Sequence, residues 1–232
     1  MPPLTSNLLV RYPIISDQIK RPALGVVLGQ LETTLGLAGG AAAIPGDIVE
    51  FGCYIGTTSL FIRRLLDASP AQAGNPQRQL HVYDSFTGLP AKAAQDNSPV
   101  GEAFQAGELA VSRKQLLAEF HKARLRPPVV HKGWFHELDD APDSHDVPNH
   151  IAFAFLDGDF YDSIMDSLHL VWPRLSPGGA ICFDDYAREA LPGVTRAVHD
   201  YFRGAPPEVR VAHNIGVLIK PSKPPAGKGV RQ

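Results

Sequence analysis

Apolar residues along this chain follow two rhythms. Short unbroken runs occur in GDIVEFG (46–52), at Leu80–Tyr83, at Val129–His131, at Ile151–Leu156 and in GGAICF before Asp184. Runs of that length suit strands buried on both faces, as in a parallel sheet covered by helices. Between them apolar positions recur three and four apart, the spacing of one helical face. This spacing predicts a helix over Ala23–Leu37, with Leu24, Val27, Leu28, Leu31 and Leu35 inward and a stop at Gly39 and Gly40. It predicts further helices from Thr57 (Leu60, Phe61, Leu65, Leu66), from Ser112 (Leu116, Leu117, Phe120), through Ile164, Leu168, Val171 and Leu175, and over Gly193–Phe202. A turn, SPGG, should separate the fourth helix from the next strand. Val209–Val211 and Ile215–Ile219 predict a closing hairpin. Strand and helix alternate, so the expected class is α/β: a Rossmann-like doubly wound sheet, mostly parallel, with an antiparallel edge hairpin.

Residues 1–46 read differently. Pro2, Pro3, Pro13 and Pro22 break the early part, and the Ala23–Leu37 helix either packs beside the sheet or covers the substrate as a lid. Any apolar surface it leaves exposed would favour a homo-oligomer. Residues 47–220 form the expected main domain, and the Pro-, Gly- and Lys-rich stretch 221–232 a disordered tail. Ala91–Gly107 has little periodicity and reads as a long loop able to close over a substrate.

Composition adds mainly exclusions. A net charge of −2 with 20% charged residues gives no expectation of nucleic-acid or acidic-membrane partners. No apolar run approaches the ~20 residues of a membrane span, and the N-terminus lacks the pattern of a secretion signal. The two cysteines, Cys53 and Cys182, sit in strand contexts, so a disulfide framework is not expected and a cytoplasmic setting is.

The candidate chemistry lies at the ends of the predicted strands. The run Ile151–Leu156 ends in Asp157 and Asp159, and the next strand ends in Asp184 and Asp185. A strand–helix–strand crossover brings both clusters to one edge of the sheet, where open α/β folds bind ligands. Several carboxylates meeting there repel one another unless a cation or shared protons sit among them. A hard, oxygen-loving ion, Mg²⁺ or Mn²⁺, is the expected occupant. Adjacent strand residues point to opposite faces, so ligation by both Asp184 and Asp185 requires a bend between them. Asp162 and Asp166 fall in the first turns of a helix, where the dipole favours carboxylates, and read as structural. The first glycine turn carries Glu50 where a dinucleotide fingerprint has its first glycine, with Gly52 and Gly56 after it. A carboxylate there repels a pyrophosphate and suits an amino group, which points to S-adenosylmethionine rather than NAD. Asp84, at the tip of the second strand, is placed to accept hydrogen bonds from ribose hydroxyls. Trp134, beside Gly133, can border an adenine ring.

Taken together, EFGCYIG, YDSFTGLP, KGWF, LDGDFYDS and GGAICFDDY resemble the macrocin O-methyltransferase family, enzymes that methylate sugar hydroxyls on macrolides and related natural products. The resemblance runs from about Val49 to Ile219. It implies a class I fold, S-adenosylmethionine as methyl donor, and a magnesium site at Asp157, Asp184 and Asp185. It further implies Asp159 as the base beside the acceptor oxygen, with Asp157 also in the reacting centre. Cofactor contacts would come from Glu50, Gly52, Tyr54, Gly56, Thr57, Asp84, Ser85, Gly133, Trp134 and Asp157. The chain departs from the family in Ser163-Ile164 after the DGDFYD turn and in Cys53-Tyr54-Ile55. The expected activity is O-methylation of a small-molecule hydroxyl, that of a sugar in a natural-product glycoside. Competing readings are a metal-dependent catechol or phenol O-methyltransferase, a non-catalytic nucleotide-binding protein, and a nucleotide-dependent oxidoreductase. His136 stands in reserve as an alternative base.

Overall fold

The structure is a computed structural model, and it describes residues 3–37, 42–69, 78–101, 103–138 and 146–222. The expected stop at Gly39 and Gly40, and nearly all of the expected tail, lie outside the described residues. The strands are β1 (Asp47–Phe51), β2 (Leu80–Asp84), β3 (Val129–Lys132), β4 (Ile151–Leu156), β5 (Leu175–Phe183), β6 (Val209–Ala212) and β7 (Ile215–Ile219). They form one sheet in the order β3-β2-β1-β4-β5-β7-β6. The first five are mutually parallel; β7 runs antiparallel to β5 and β6 pairs with it as the edge hairpin. The strand order reverses between β1 and β4, which opens a crevice at their carboxyl ends.

Every residue of β4 is buried, because both faces of the sheet are covered. On one side Phe153, Phe155, Ile48 and Cys182 pack with helices α1 (Leu4–Arg11), α2 (Arg21–Thr34), α3 (Thr57–Ala68) and α4 (Arg113–Ala123). On the other, Val49, Phe51, Ala154, Leu156 and Phe183 pack with α5 (Tyr161–Arg174) and α6 (Pro192–Tyr201). Each such apolar side chain contributes about 1.5–3 kcal/mol on burial, and the period-two alternation along the strands fills both layers at once.

Four local departures from the pattern reading have physical causes. Helix α1 forms between two prolines, helped by Glu32 of α2, whose carboxylate accepts from Leu4 N (3.0 Å), Thr5 N (3.1 Å) and Thr5 Oγ1 (2.6 Å). The two amides are otherwise unpaired donors of the helix's first turn, so a distant side chain supplies the cap. The α2 helix stops earlier than expected, at Thr34, with Gly36 at φ +70° just beyond. Its apolar stripe packs inward, Leu24, Val27, Leu28 and Leu31 each at 0% exposure. Leu175 belongs to β5, not to the preceding helix, and SPGG is an excursion inside that strand. The β4 register shifts there, from Ile151 opposite Leu175 to Phe153 opposite Ala180, and Gly178 and Gly179 exchange backbone hydrogen bonds with Lys220 at 2.8 Å.

The long segment after β2 is pinned near its middle. Asp96 accepts from Tyr161 N (2.8 Å) through Oδ1 and from Ala93 N (2.9 Å) through Oδ2, which caps α5 from outside. Arg196 of α6 donates to the carbonyls of Gln95 and Asn97, and Ser98 Oγ to Glu189 O (2.7 Å). Gly193 is required here, since a Cβ on it would lie 1.8 Å from Asp96 Oδ1.

Candidate active site

The sheet's ladder runs on past the strand ends. Gly52 N donates to Tyr83 O (2.9 Å), Asp157 N to Phe51 O (2.8 Å) and Asp184 N to Leu156 O (3.0 Å). The residues after β1, β2, β4 and β5 are therefore held at one level. Beyond each of these strands stands a non-glycine residue in the left-handed region: Tyr54 (φ 46°), Phe86 (φ 56°), Asp159 (φ 59°) and Asp185 (φ 51°). Such residues are uncommon and gather where function fixes the backbone. The left-handed turn at Asp185 is the bend that brings Asp184 and Asp185, neighbours in sequence, onto the same cavity.

That cavity, of about 300 Å³, gathers Gly52, Tyr54, Asp84, Ser85 and Trp134 from the cofactor expectation. Asp157, Asp159, Asp184 and Asp185 line it too. Glu50, Gly56, Thr57 and Gly133 are not among its lining residues. Glu50 is buried one layer down, where it accepts a hydrogen bond from Ser59 Oγ. Burial pushes its carboxyl up to about 8, with the Ser59 bond opposing and the Asp84 charge adding to the rise. Gly56 caps α3 against Leu116, and Thr57 is buried with its hydroxyl 2.8 Å from Ser16 Oγ. These residues shape the glycine turn from below.

Asp84 has a double position. It lines the cavity, yet its Oδ2 accepts from Cys53 N (3.0 Å) and Tyr54 N (3.1 Å) and its Oδ1 from Phe86 N (2.8 Å). The Cys53 thiol also lies 3.6 Å from Oδ2, so the lone pair left for a ribose hydroxyl is on Oδ1, beside the Phe86 bond. The close approach beside it is set by Gly52 at φ +83°, where a Cβ would lie 1.9 Å from Asp157 O.

The acid cluster is built in the opposite way. Asp157 is held well above the usual carboxylate range, first by burial and then by the charges of Asp184, Asp159 and Asp185. Asp159 is likewise raised, by burial and then by Asp185 and Asp184, with Arg188 opposing. Burial and the Asp185 charge lift Asp184 to about 7. Asp185 is raised by burial against the Arg188 hydrogen bond. Carboxylate oxygens in this number suit a hard divalent cation in kind. Their present directions differ: Asp185 Oδ1 accepts from Arg188 (2.7 Å) and Asp184 Oδ1 from Asp185 N (2.9 Å). Among the described residues no three His, Cys, Asp or Glu side chains close on one point. The donor chemistry fits the ion in kind.

Several lining residues escaped the pattern reading. Gln18 reaches the cavity from the segment ahead of α2, and Arg188 from the loop after β5. Asp162 and Asp166, expected to serve only the α5 dipole, also face the cavity, with His136 Nδ1 3.9 Å from Asp166. The spacing of the two aspartates, i and i+4, was the available signal. Leu89, Pro90, Phe104 and Leu109 of the long segment complete an apolar wall.

A profile of the macrocin O-methyltransferase family matches residues 31–210. The 8-demethyl-8-(2,3-dimethoxy-alpha-L-rhamnosyl)-tetracenomycin-C 4'-O-methyltransferase of Streptomyces olivaceus is 39% identical over 69% of this chain and 59% of its own length. The mycinamicin III 3''-O-methyltransferase of Micromonospora griseorubida is 32% identical over 68% of this chain and 61% of its own. The chain thus spans about three-fifths of the length of these curated relatives. Among solved structures, the O-methyltransferase NovP superposes with a TM-score of 0.68 at 26% identity, over 88% of this chain and 81% of that one. The calicheamicin methyltransferase CalS11 superposes at 0.64 with 22% identity, over 93% and 89%, which supports the fold.

Proposed function

We propose, from the premise that this chain belongs to the macrocin O-methyltransferase family, that it is an S-adenosylmethionine-dependent O-methyltransferase acting on a sugar hydroxyl of a natural product. The observation that carries the reading is the single cavity in which the glycine turn, Asp84 and Trp134 face Asp157, Asp159, Asp184 and Asp185. S-adenosylmethionine, when bound, supplies an electrophilic methyl carbon. Tyr54, Ser85 and Asp84, which line the cavity, would hold its ribose side, and Trp134 its adenine. Asp157, Asp184 and Asp185 would hold Mg²⁺ or Mn²⁺, which supplies a Lewis acid that makes an alcohol more acidic. Asp159, whose hold on a proton is strengthened by burial and by Asp185 and Asp184, takes the proton of the acceptor hydroxyl. Arg188 then offsets the charge left in the cluster. The apolar wall keeps water from the reacting atoms.

Among the described residues no helix is long and apolar enough to cross a membrane, and both free thiols, Cys53 and Cys182, are buried. The test is calorimetry with S-adenosylmethionine and, separately, NAD, followed by mass spectrometry of glycosides for the gain of one methyl group with and without chelator. Binding of S-adenosylmethionine and a chelator-sensitive methyl gain support the reading. Tight NAD binding without S-adenosylmethionine binding overturns it. If Asp159→Asn costs little turnover, the acceptor is an easily ionised phenol and not a sugar.

A further inference from the structure

The turn after β5 sets one arginine against the acid cluster. Asp185 stands at φ 51° and Ala187 at φ 62°. Arg188 N closes the turn by donating to Asp185 O (3.2 Å), and Leu191 N donates to Arg188 O (3.0 Å). Ala187 N donates to Thr195 Oγ1 of α6 (2.9 Å), which ties the turn to a helix. The same turn returns the Arg188 guanidinium onto Asp185, with Nη1 2.7 Å from Oδ1. Arg188 is thus joined to Asp185 twice, by backbone and by side chain. Among the described lining residues it is the one lysine or arginine. Beyond the four clustered aspartates, the acidic and basic lining residues are Asp84, spent on backbone amides, and Asp162, Asp166 and His136. His136 Nδ1 lies 3.9 Å from Asp166, so its pairing is with α5 and not with the cluster.

A guanidinium stays charged at any pH the fold survives, and the Asp185 bond and the charges of Asp185, Asp159 and Asp184 hold its proton more firmly still. That fixed charge has two effects of opposite sign. It relieves the repulsion among like carboxylates in a dry space. It also opposes a second cation brought to the same oxygens. Even at the dielectric of water, a unit charge about 5 Å from a dication weakens its binding by more than about tenfold. Resting on the proposed ion site, we propose that Arg188 is a resident competitor of the divalent cation. It holds the cluster together by charge and keeps the affinity for Mg²⁺ or Mn²⁺ weak, so that the ion exchanges readily. The guanidinium meets Oδ1 of Asp185, and Oδ2 remains as a donor, so the opposition is one of charge and not of blocking. Arg188 is a positioning residue that acts through Asp185.

The test reads the ion alone. Mg²⁺ and, separately, Mn²⁺ are titrated calorimetrically into the chelator-treated unaltered chain, Arg188→Gln and Arg188→Lys, with no cofactor or acceptor present. Arg188→Gln is expected to bind at least about tenfold more tightly than the unaltered chain. Arg188→Lys, which keeps the charge, should stay within about threefold of it. Melting curves are recorded in chelator and in saturating Mn²⁺. Arg188→Gln should melt below the unaltered chain in chelator, and the gap should close or reverse with the ion. An arginine that only braced the turn would lower both curves and leave the affinity unchanged. Equal or weaker binding by Arg188→Gln overturns the inference and leaves the ion site standing. A variant unfolded by circular dichroism with and without Mn²⁺ also overturns it, whereas one that folds only with Mn²⁺ supports it. Asp157→Asn added to Arg188→Gln should abolish binding; binding that survives places the ion elsewhere and overturns the inference. No binding of either ion by the unaltered chain or by Arg188→Gln removes the ion site itself, and the inference with it.

Discussion

Asp84 and the Asp157–Asp185 cluster stand at the same edge of the same sheet, yet their carboxylates are treated in opposite ways. Asp84 accepts three backbone amides, from Cys53, Tyr54 and Phe86, and so fixes the glycine turn. The four aspartates after β4 and β5 face mainly one another, with Arg188 as their cationic neighbour in the cavity. A carboxylate supplied with donors is a structural element; carboxylates that share a dry space without them are poised for a ligand. One half of the crevice is thus finished on folding, and the other is completed by what binds.

The most severe way to break this contrast is Asp159→Asn. With a sugar acceptor, removal of a positioned base should cost about 10²–10⁴ in kcat, while the thermal midpoint stays level or rises, because a buried like charge is gone; a stopped assay and a melting curve read both. Gly52→Ala should come next and act on both halves at once. The new Cβ would press on Asp157 O at a backbone φ of +83°, and left-handed strain with overpacking should cost about 2–5 kcal/mol in denaturant unfolding.

Mg²⁺ sharpens the comparison by ligand linkage. At a hundred times its dissociation constant it should stabilise the protein by about 2.7 kcal/mol, and Asp157→Asn, but not Asp84→Asn, should remove most of that gain. The smallest effect is the pH slope without the ion. The folded-state value of Asp184, about 7, lies above the unfolded value of about 3.9. The folded chain therefore binds the extra proton, so the stability contributed by this group is full below pH ~4 and is lost as pH rises to ~7. Urea midpoints across that range should fall for the unaltered protein and flatten in Asp184→Asn. Saturating Mg²⁺ should reverse the slope, because the ion favours the ionised carboxylates.

How much of this was legible in the sequence depended on how local the cause was. The β4–α5–β5 unit could be read because Ile151–Leu156 is uninterrupted and the α5 spacing is clean. The aspartates after each strand followed from topology alone, since a parallel crossover leaves both carboxyl ends on one edge. Helix α1 could not be read, because its cap is Glu32, 27 residues from Thr5. Gln18 and Arg188 were missed for the same reason: no spacing marks a side chain that reaches the cavity from a neighbouring loop. Glu50 was legible in position and not in direction. Its place in the glycine turn resembled a cofactor contact, but the side chain turns inward to Ser59 and is 1% exposed.

The clasp that Asp96, Arg196 and Ser98 place on the segment after β2 has a practical consequence for redesign. It divides one long connection into two spans with separate anchorages. The span between Ser98 and Gly107, which carries Phe104 into the cavity wall and ends where Gly107 and Glu108 pair with Leu89, can be exchanged for a transplant of another length while the start of α5 keeps its tether. Libraries aimed at other small molecules belong in that interval, because variation there reshapes the mouth of the cavity.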